Sequence, residues 1–223
     1  MARSFDNTDD EIDFTPATGF PTTGSFTVCT ILNRKTDEQG VILWVGVTSG
    51  GWLCVIDGST LKFIKRGVAT VASGLTVNAS TWYLAVWRHR ATVEVEFDLI
   101  PLDGSAPSNV IIANTSGINT PSGDAAFGKQ LTGAISWYGG LLATCVVYSS
   151  ALTDTELDAI GRGMIMASFN RTDLVGLWPM WGVSSPEPDL SGKQQNGTVV
   201  GATLAGHAPV GPYVMPFSPR GIG

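Results

Sequence analysis

The chain has 223 residues and a net charge of −6, with basic residues such as Lys35, Lys65, Arg66, Arg88 and Arg90 dispersed, which argues against nucleic acid or an anionic membrane as partner. Apolar residues make up 43% and charged residues 14%, ample for a packed core and too apolar for a disordered chain. No apolar run reaches the roughly 18 residues that span a bilayer, and 27 glycines and 12 prolines punctuate the whole length, the pattern of many short strands joined by turns.

The opening stretch, Phe5 to Phe14, reads FDNTDDEIDF. Asp6, Asp9 and Asp10 bring carboxylates together at a strand and turn, the oxygen chemistry that suits a hard cation such as calcium. The plain alternative is a solvated acidic turn. Phe26 to Ile31 reads as a strand buried on both sides, and Val41 to Val47, Trp52 to Ile56, Leu61 to Ile64 and Val68 to Leu75 follow as further strands. Ser49-Gly50-Gly51 turns the first of these into the second, and Asp57-Gly58 is a hairpin signal.

In TWYLAVWRHR, Trp82, Leu84 and Val86 share one face while Tyr83, Ala85 and Trp87 share the other. Thr92 to Leu99 alternates strictly, which predicts Val93, Val95, Phe97 and Leu99 inward and Glu94, Glu96 and Asp98 outward on a half-exposed strand. Three carboxylates on one face invite comparison with retaining glycosidases, whose paired carboxyls stand about 5–5.5 Å apart in a cleft. Neighbours at i, i+2 on a strand are farther apart, roughly 6.5 Å, and the even spacing reads more simply as an exposed face. Trp52, Trp137 and Tyr138 are candidates for stacking on a sugar ring; the alternative for such large aromatics is the rim of a core.

Leu142 to Tyr148 is almost wholly apolar, a strand covered on both faces. It hands over to a short helix near residues 153–161. Thr153 stands three residues before Glu156, the capping-box spacing; Leu152 and Leu157 are placed as a hydrophobic staple, and Gly161 supplies the stop.

The spacing of Gly140, Leu142, Tyr148, Ala151, Leu152 and Glu156 resembles the closing segment of the laminin-G-like, concanavalin-A-like jelly-roll domains. FDNTDD, TWYLAV, LVGLWPMW and DLSGKQQNGTVVGAT resemble other segments of the same family, so the likeness runs from about Phe5 to about Thr203. Two departures stand out: Ala143-Thr144 where the family has an Asp-Glu pair, and Leu84 where a His often stands. The resemblance implies an all-β antiparallel jelly-roll β-sandwich over residues 1–205 with one short helix near residues 153–161. Asp189 and Asn196 are expected to bridge the DLSG…NGT turn through backbone bonds. Residues 206–223, with a proline every three or four residues from Pro209, read as an extended arm. Its Tyr213, Met215 and Phe217 would contact a neighbouring subunit or lie back across the same domain.

For function, His89 and His207 are the only histidines and neither lies in a catalytic setting. Phosphate loops and zinc spacings are absent, and Cys29, Cys54 and Cys145 read as small buried hydrophobes. The expectation is a non-enzymatic binding or structural module. Domains resembling this one work outside cells, whereas MARSFDNTDD lacks the apolar core of a signal peptide. A chain made in the host cytoplasm and carried out on a virion meets both conditions, and stand-alone chains of this kind resemble those encoded among phage virion genes. The expected role is therefore a phage virion accessory protein, a capsid decoration or fibre subunit, partnered by other virion subunits or itself as a homo-oligomer, and binding surface glycans. Calcium is the one cofactor considered. The alternatives are a free carbohydrate-binding lectin domain or a glycoside hydrolase.

Overall fold

A computed structural model describes residues 1–14, 19–35, 39–47, 50–120, 123–129, 137–161, 172–181 and 184–208. Two antiparallel sheets pack face to face as a jelly-roll sandwich. The opening stretch is not one strand: β1 (Ala2–Asp6) and β2 (Glu11–Phe14) lie in different sheets, joined by the acidic turn. The chain continues through β3 (Phe26–Arg34), β4 (Gly40–Val47), β5 (Gly50–Asp57), β6 (Thr60–Lys65), β7 (Ala69–Thr76), β8 (Trp82–Arg90), β9 (Glu94–Pro101), β10 (Ser108–Ala113) and β11 (Asp124–Phe127). It closes with β12 (Gly139–Tyr148), α1 (Asp154–Gly161), β13 (Leu174–Trp178), β14 (Thr198–Val200) and β15 (Thr203–Ala205).

One sheet runs β10-β9-β8-β3-β12-β1-β15, with β13 also paired to β12; the other runs β14-β2-β11-β4-β5-β6-β7. The core lies between them, and alternation decides which side chains enter it. Tyr83, Ala85 and Trp87 of β8 face the core, whereas Leu84 and Val86 belong to a second apolar layer on the outer face, with Trp82 packed at its margin. That layer is roofed by Leu157 and Ile160 of α1 together with Leu152 just before it. The capping box forms as expected: the Thr153 N–H donates to Glu156 Oε2 at 2.7 Å and the Glu156 N–H to Thr153 Oγ1 at 3.3 Å. Leu152 and Leu157, the staple pair, are both buried.

The outer face departs from expectation at β9. Val95, Phe97 and Leu99 enter the core, but Val93 sits in the turn before the strand and is exposed. Glu96 and Asp98 do face outward, yet both are buried. The reason is Arg88 on the neighbouring strand, itself buried, which reaches Glu96 Oε1 at 2.5 Å, Asp98 Oδ2 at 3.4 Å and Asp154 Oδ1 at the start of α1 at 2.7 Å. Asn109 Nδ2 donates to both acids, at 2.9 Å to Glu96 and 2.6 Å to Asp98. Carboxylates tied into such a network under a helix are structural groups rather than cleft acids.

At the carboxyl end, Asp189 accepts from the N–H groups of Leu177, Ser191 and Gln195, and Asn196 Oδ1 accepts from the Asp189 N–H at 2.8 Å. The DLSG…NGT turn is thus bridged through the backbone as its residues suggest. Buried Arg3 fastens the same region to β1, meeting Glu187 Oε2 at 3.0 Å and donating to the carbonyls of Ala202 and Ser184. Past β15 the chain continues to Ala208, buried in the outer layer. Tyr213, Met215 and Phe217 lie outside the described residues.

Candidate functional site

At one rim of the sandwich three places where the chain changes sheet lie side by side: the turn from β1 to β2, Gly128 and Tyr138 between β11 and β12, and Gly201 with Ala202 between β14 and β15. The first brings the acidic residues together. Asp6 Oδ1 accepts from the Thr8 N–H at 2.8 Å and the Asp9 N–H at 3.4 Å, an Asx turn that curls the backbone, helped by Asn7 at φ +69°. Asp10 then folds back, its Oδ2 accepting from the Asp6 N–H at 2.8 Å. Oxygens of Asp6, Asp9 and Asp10 all lie within 4.8 Å of one another. Gly201, at φ +71°, allows this approach, because a Cβ there would overlap the Asp10 carboxylate.

Asp6 and Asp9 are exposed while Asp10 is buried. Burial pushes the Asp10 carboxyl above its usual range and the charges of Asp6 and Asp9 push it further, against the lowering effect of the Asp6 N–H. A cation would relieve this repulsion, and an all-oxygen donor set fits calcium, which takes about 6–8 oxygen ligands. Asp6, Asp9 and Asp10 are the residues that would hold it.

Gly128 and Tyr138 form the adjoining wall. The Asn7 N–H donates to the Tyr138 carbonyl at 3.2 Å, the Tyr138 N–H to the Gly128 carbonyl at 2.8 Å, and Gly139 pairs with Asp6. Trp137 therefore stands beside the acidic turn. Trp137 is half-buried, and Lys129 Nζ lies 4.9 Å from its ring centroid while also pairing with Glu11 at 2.8 Å. The ammonium thus fixes the indole from one side through a cation–π contact.

The other two stacking candidates are corrected by their surroundings. Tyr138 is buried against Phe5, its hydroxyl donating to the Asn33 carbonyl at 3.0 Å. Trp52 is fully buried, stacked on Phe26 at 4.6 Å with its Nε1 donating to the Pro21 carbonyl at 2.8 Å. Neither ring offers a face to a sugar. Trp52 is also at the wrong end: Phe26 begins β3, whereas Gly140, near Trp137, pairs with Arg34 at the end of that strand. The eight steps between them span about 27 Å of extended chain. Sequence reasoning overlooked Lys129 and Glu11, whose part depends on a pairing across more than a hundred residues.

Neither protein-family models nor curated protein sequences match this chain. Solved structures do. The laminin α2 LG1–3 region superimposes with a TM-score of 0.53 at 12% identity, covering 70% of this chain and 32% of that one. The fold is the laminin-G-like, concanavalin-A-like jelly roll. A candidate carbohydrate-binding protein from Bacteroides ovatus gives a TM-score of 0.63 at 17% identity, covering 94% of this chain and 61% of that one. Tailspike protein 2 of bacteriophage CBA120, in its enzymatically active domain, gives 0.53 at 10% identity, covering 79% and 33%. The chain spans less than two thirds of the length of each of these structures. At such identities the likeness concerns the laminin-G-like fold, and sites must be argued from this chain's own residues.

Proposed function

We propose that this chain is a non-enzymatic glycan-binding module whose ligand is held at the rim by Trp137 and a calcium ion on Asp6, Asp9 and Asp10. The observation that carries this reading is that Trp137, its indole contacted by Lys129, directly precedes Tyr138, whose carbonyl is bonded to Asn7 within the turn of three converging carboxylates. An indole face covers the apolar side of a sugar ring, while a cation at the acidic turn supplies coordination for ring hydroxyls. The Bacteroides neighbour, a candidate carbohydrate-binding protein, supports the assignment by analogy. The burial of Glu96 and Asp98 around Arg88 speaks against hydrolysis there. Glycan arrays probed with the full chain, with calcium and with chelator, test the reading. Specific binding that is lost on chelation is the expected result, and no binding in either condition overturns it.

The setting we propose is a phage virion, with the chain as a capsid decoration or fibre subunit assembled with itself or with other virion proteins. The fold-level likeness to a phage tailspike favours this over a free lectin. Immunogold labelling of intact particles would locate the chain, and label confined to the soluble fraction of a lysate would return the free lectin.

A further inference from the structure

At the end of the sandwich opposite the acidic turn, β6 finishes on Lys65 and β8 runs through His89, two residues that the glycan reading does not use. His89 is 2% exposed and packed between the rings of Phe26, 5.0 Å away, and Phe63, 5.6 Å away. Its Nδ1 lies 2.8 Å from the Gly24 carbonyl, which can only accept, so Nδ1 carries the proton and Nε2 is left as a bare lone pair. That Nε2 is buried and has no hydrogen-bond partner. Lys65 is 1% exposed and donates to Asn114 Oδ1 at 2.7 Å and to the Ser116 carbonyl. These use two of its three N–H groups on neutral acceptors, and no carboxylate pairs with it among the described residues.

A buried ammonium balanced only by neutral dipoles, beside an imidazole nitrogen with nothing to bond, is a site short of negative charge. Phe26 from β3 and Phe63 from β6 face His89, Val95 of β9 is paired opposite it, and Lys65 follows Phe63 by two residues on the same buried face of β6; of these Lys65 alone is charged. Among the described residues, the segment lying over Lys65 is 114–120, in which Thr115, Gly117, Asn119 and Thr120 are exposed while Ile118 packs against the core. Besides its bonds to Lys65, this segment is tied by the Gly51 N–H donating to the Asn119 carbonyl at 2.9 Å and by Asn119 Nδ2 donating to the Arg66 carbonyl at 3.4 Å.

We propose that Lys65 and His89 form a receptor for one oxyanion group, a carboxylate, sulfate or phosphate, reached by displacement of residues 114–120, and that its arrival is accompanied by uptake of one proton from solvent at His89 Nε2. The anion accepts from Lys65 Nζ and, once Nε2 is protonated, from the imidazolium as well. Protonation that Lys65 opposes in the free protein becomes favourable when the anion stands between the two cations. This site is independent of the rim site, and neither depends on the other.

The test is the titration of His89 in the full chain, followed by the NMR signals of the imidazole Cε1–H groups and assigned with His89→Gln against His207. Titrations in sodium chloride, acetate, sulfate and phosphate are run at equal ionic strength. The His89 midpoint is expected to rise by about one pH unit or more in at least one of the three anions over chloride, a tenfold preference of that anion for the protonated form. The anion that acts identifies the group received. The rise should disappear in Lys65→Met and persist in Lys65→Arg. An unmoved midpoint in all three anions overturns the proposal, as does an equal rise in Lys65→Met. Should Lys65→Met fail to fold, the wild-type anion series decides alone.

Discussion

Arg88 Nη1 stands 2.7 Å from Asp154 Oδ1, so a guanidinium rooted in the middle of a sheet holds the first residue of the helix that roofs that sheet. The same side chain reaches Glu96 and Asp98, so one cation links the helix to two buried acids, while Arg90 Nη2 adds a second contact to Glu96 at 3.5 Å.

Replacing Arg88 with Met is expected to cost about 3–5 kcal/mol, because it leaves Glu96 and Asp98 buried without their central counter-charge. Asp154→Asn removes the partner whose side chain is 51% exposed and is expected to cost no more than about 1 kcal/mol. Urea denaturation of the two variants checks the asymmetry; equal losses would refute a network centred on Arg88.

Trp52 and Trp137 give opposite outcomes for the same substitution. Trp52→Ala empties a fully buried site and is expected to destabilise the sandwich by about 3–5 kcal/mol. Trp137→Ala removes a half-buried ring with its cation–π contact and is expected to cost no more than about 1–2 kcal/mol, while lowering glycan affinity at least tenfold. Thermal melts alongside glycan titrations separate the two effects.

Acid should weaken the fold through His89. Burial above all, and Lys65 beside it, lower its pKa from 6.5 to about 4, against the raising effect of the Gly24 carbonyl. The folded chain therefore resists a proton that the unfolded chain accepts. The neutral imidazole imposes no such penalty above pH 6.5, and stability falls between pH 6.5 and about 4 by about 3 kcal/mol, at about 1.36 kcal/mol per unit. Denaturation midpoints of His89→Gln measured across this window in chloride should lose that portion of the slope.

Asp10 works in the opposite sense. Its carboxyl is raised by burial and by Asp6 and Asp9, so in chelator the chain gains stability on acidification as Asp10 takes up its proton and loses it as pH rises through that titration. Calcium favours the ionised form and should reverse the trend, adding about 2.7 kcal/mol at a hundredfold excess over Kd. Asp10→Asn is expected to stabilise the chelated protein slightly and to abolish the calcium increment, read by thermal melts with and without calcium.

Much of the fold was legible because alternation is local. The two faces of β8 could be read from TWYLAVWRHR, and the helix from a Thr–Glu spacing and two leucines. What covers a face is not local. Glu96 and Asp98 look like an exposed stripe because nothing near them in sequence announces a helix more than fifty residues later, or that Arg88 stands opposite Glu96 in the register. Rim aromatics failed for the same reason: Trp52, Trp137 and Tyr138 are alike as residue types, and only the pairing of β5 with β4 and β6 and of β12 with β1 and β3 sends them to different ends. The acidic turn was found because its residues are adjacent in the chain; Trp137 joins it only through β12 pairing with β1.

The three cysteines are free, buried and divided between layers, Cys54 and Cys145 in the core and Cys29 under the outer roof. Burial pushes all three thiols up, so thiolate is scarce while the sandwich is closed. A thiol reagent therefore meets the chain only when a layer opens. Cys29 reports the lifting of the helix roof and the other two the parting of the sheets, which gives this molecule a two-stage clock for its own unfolding without any introduced label.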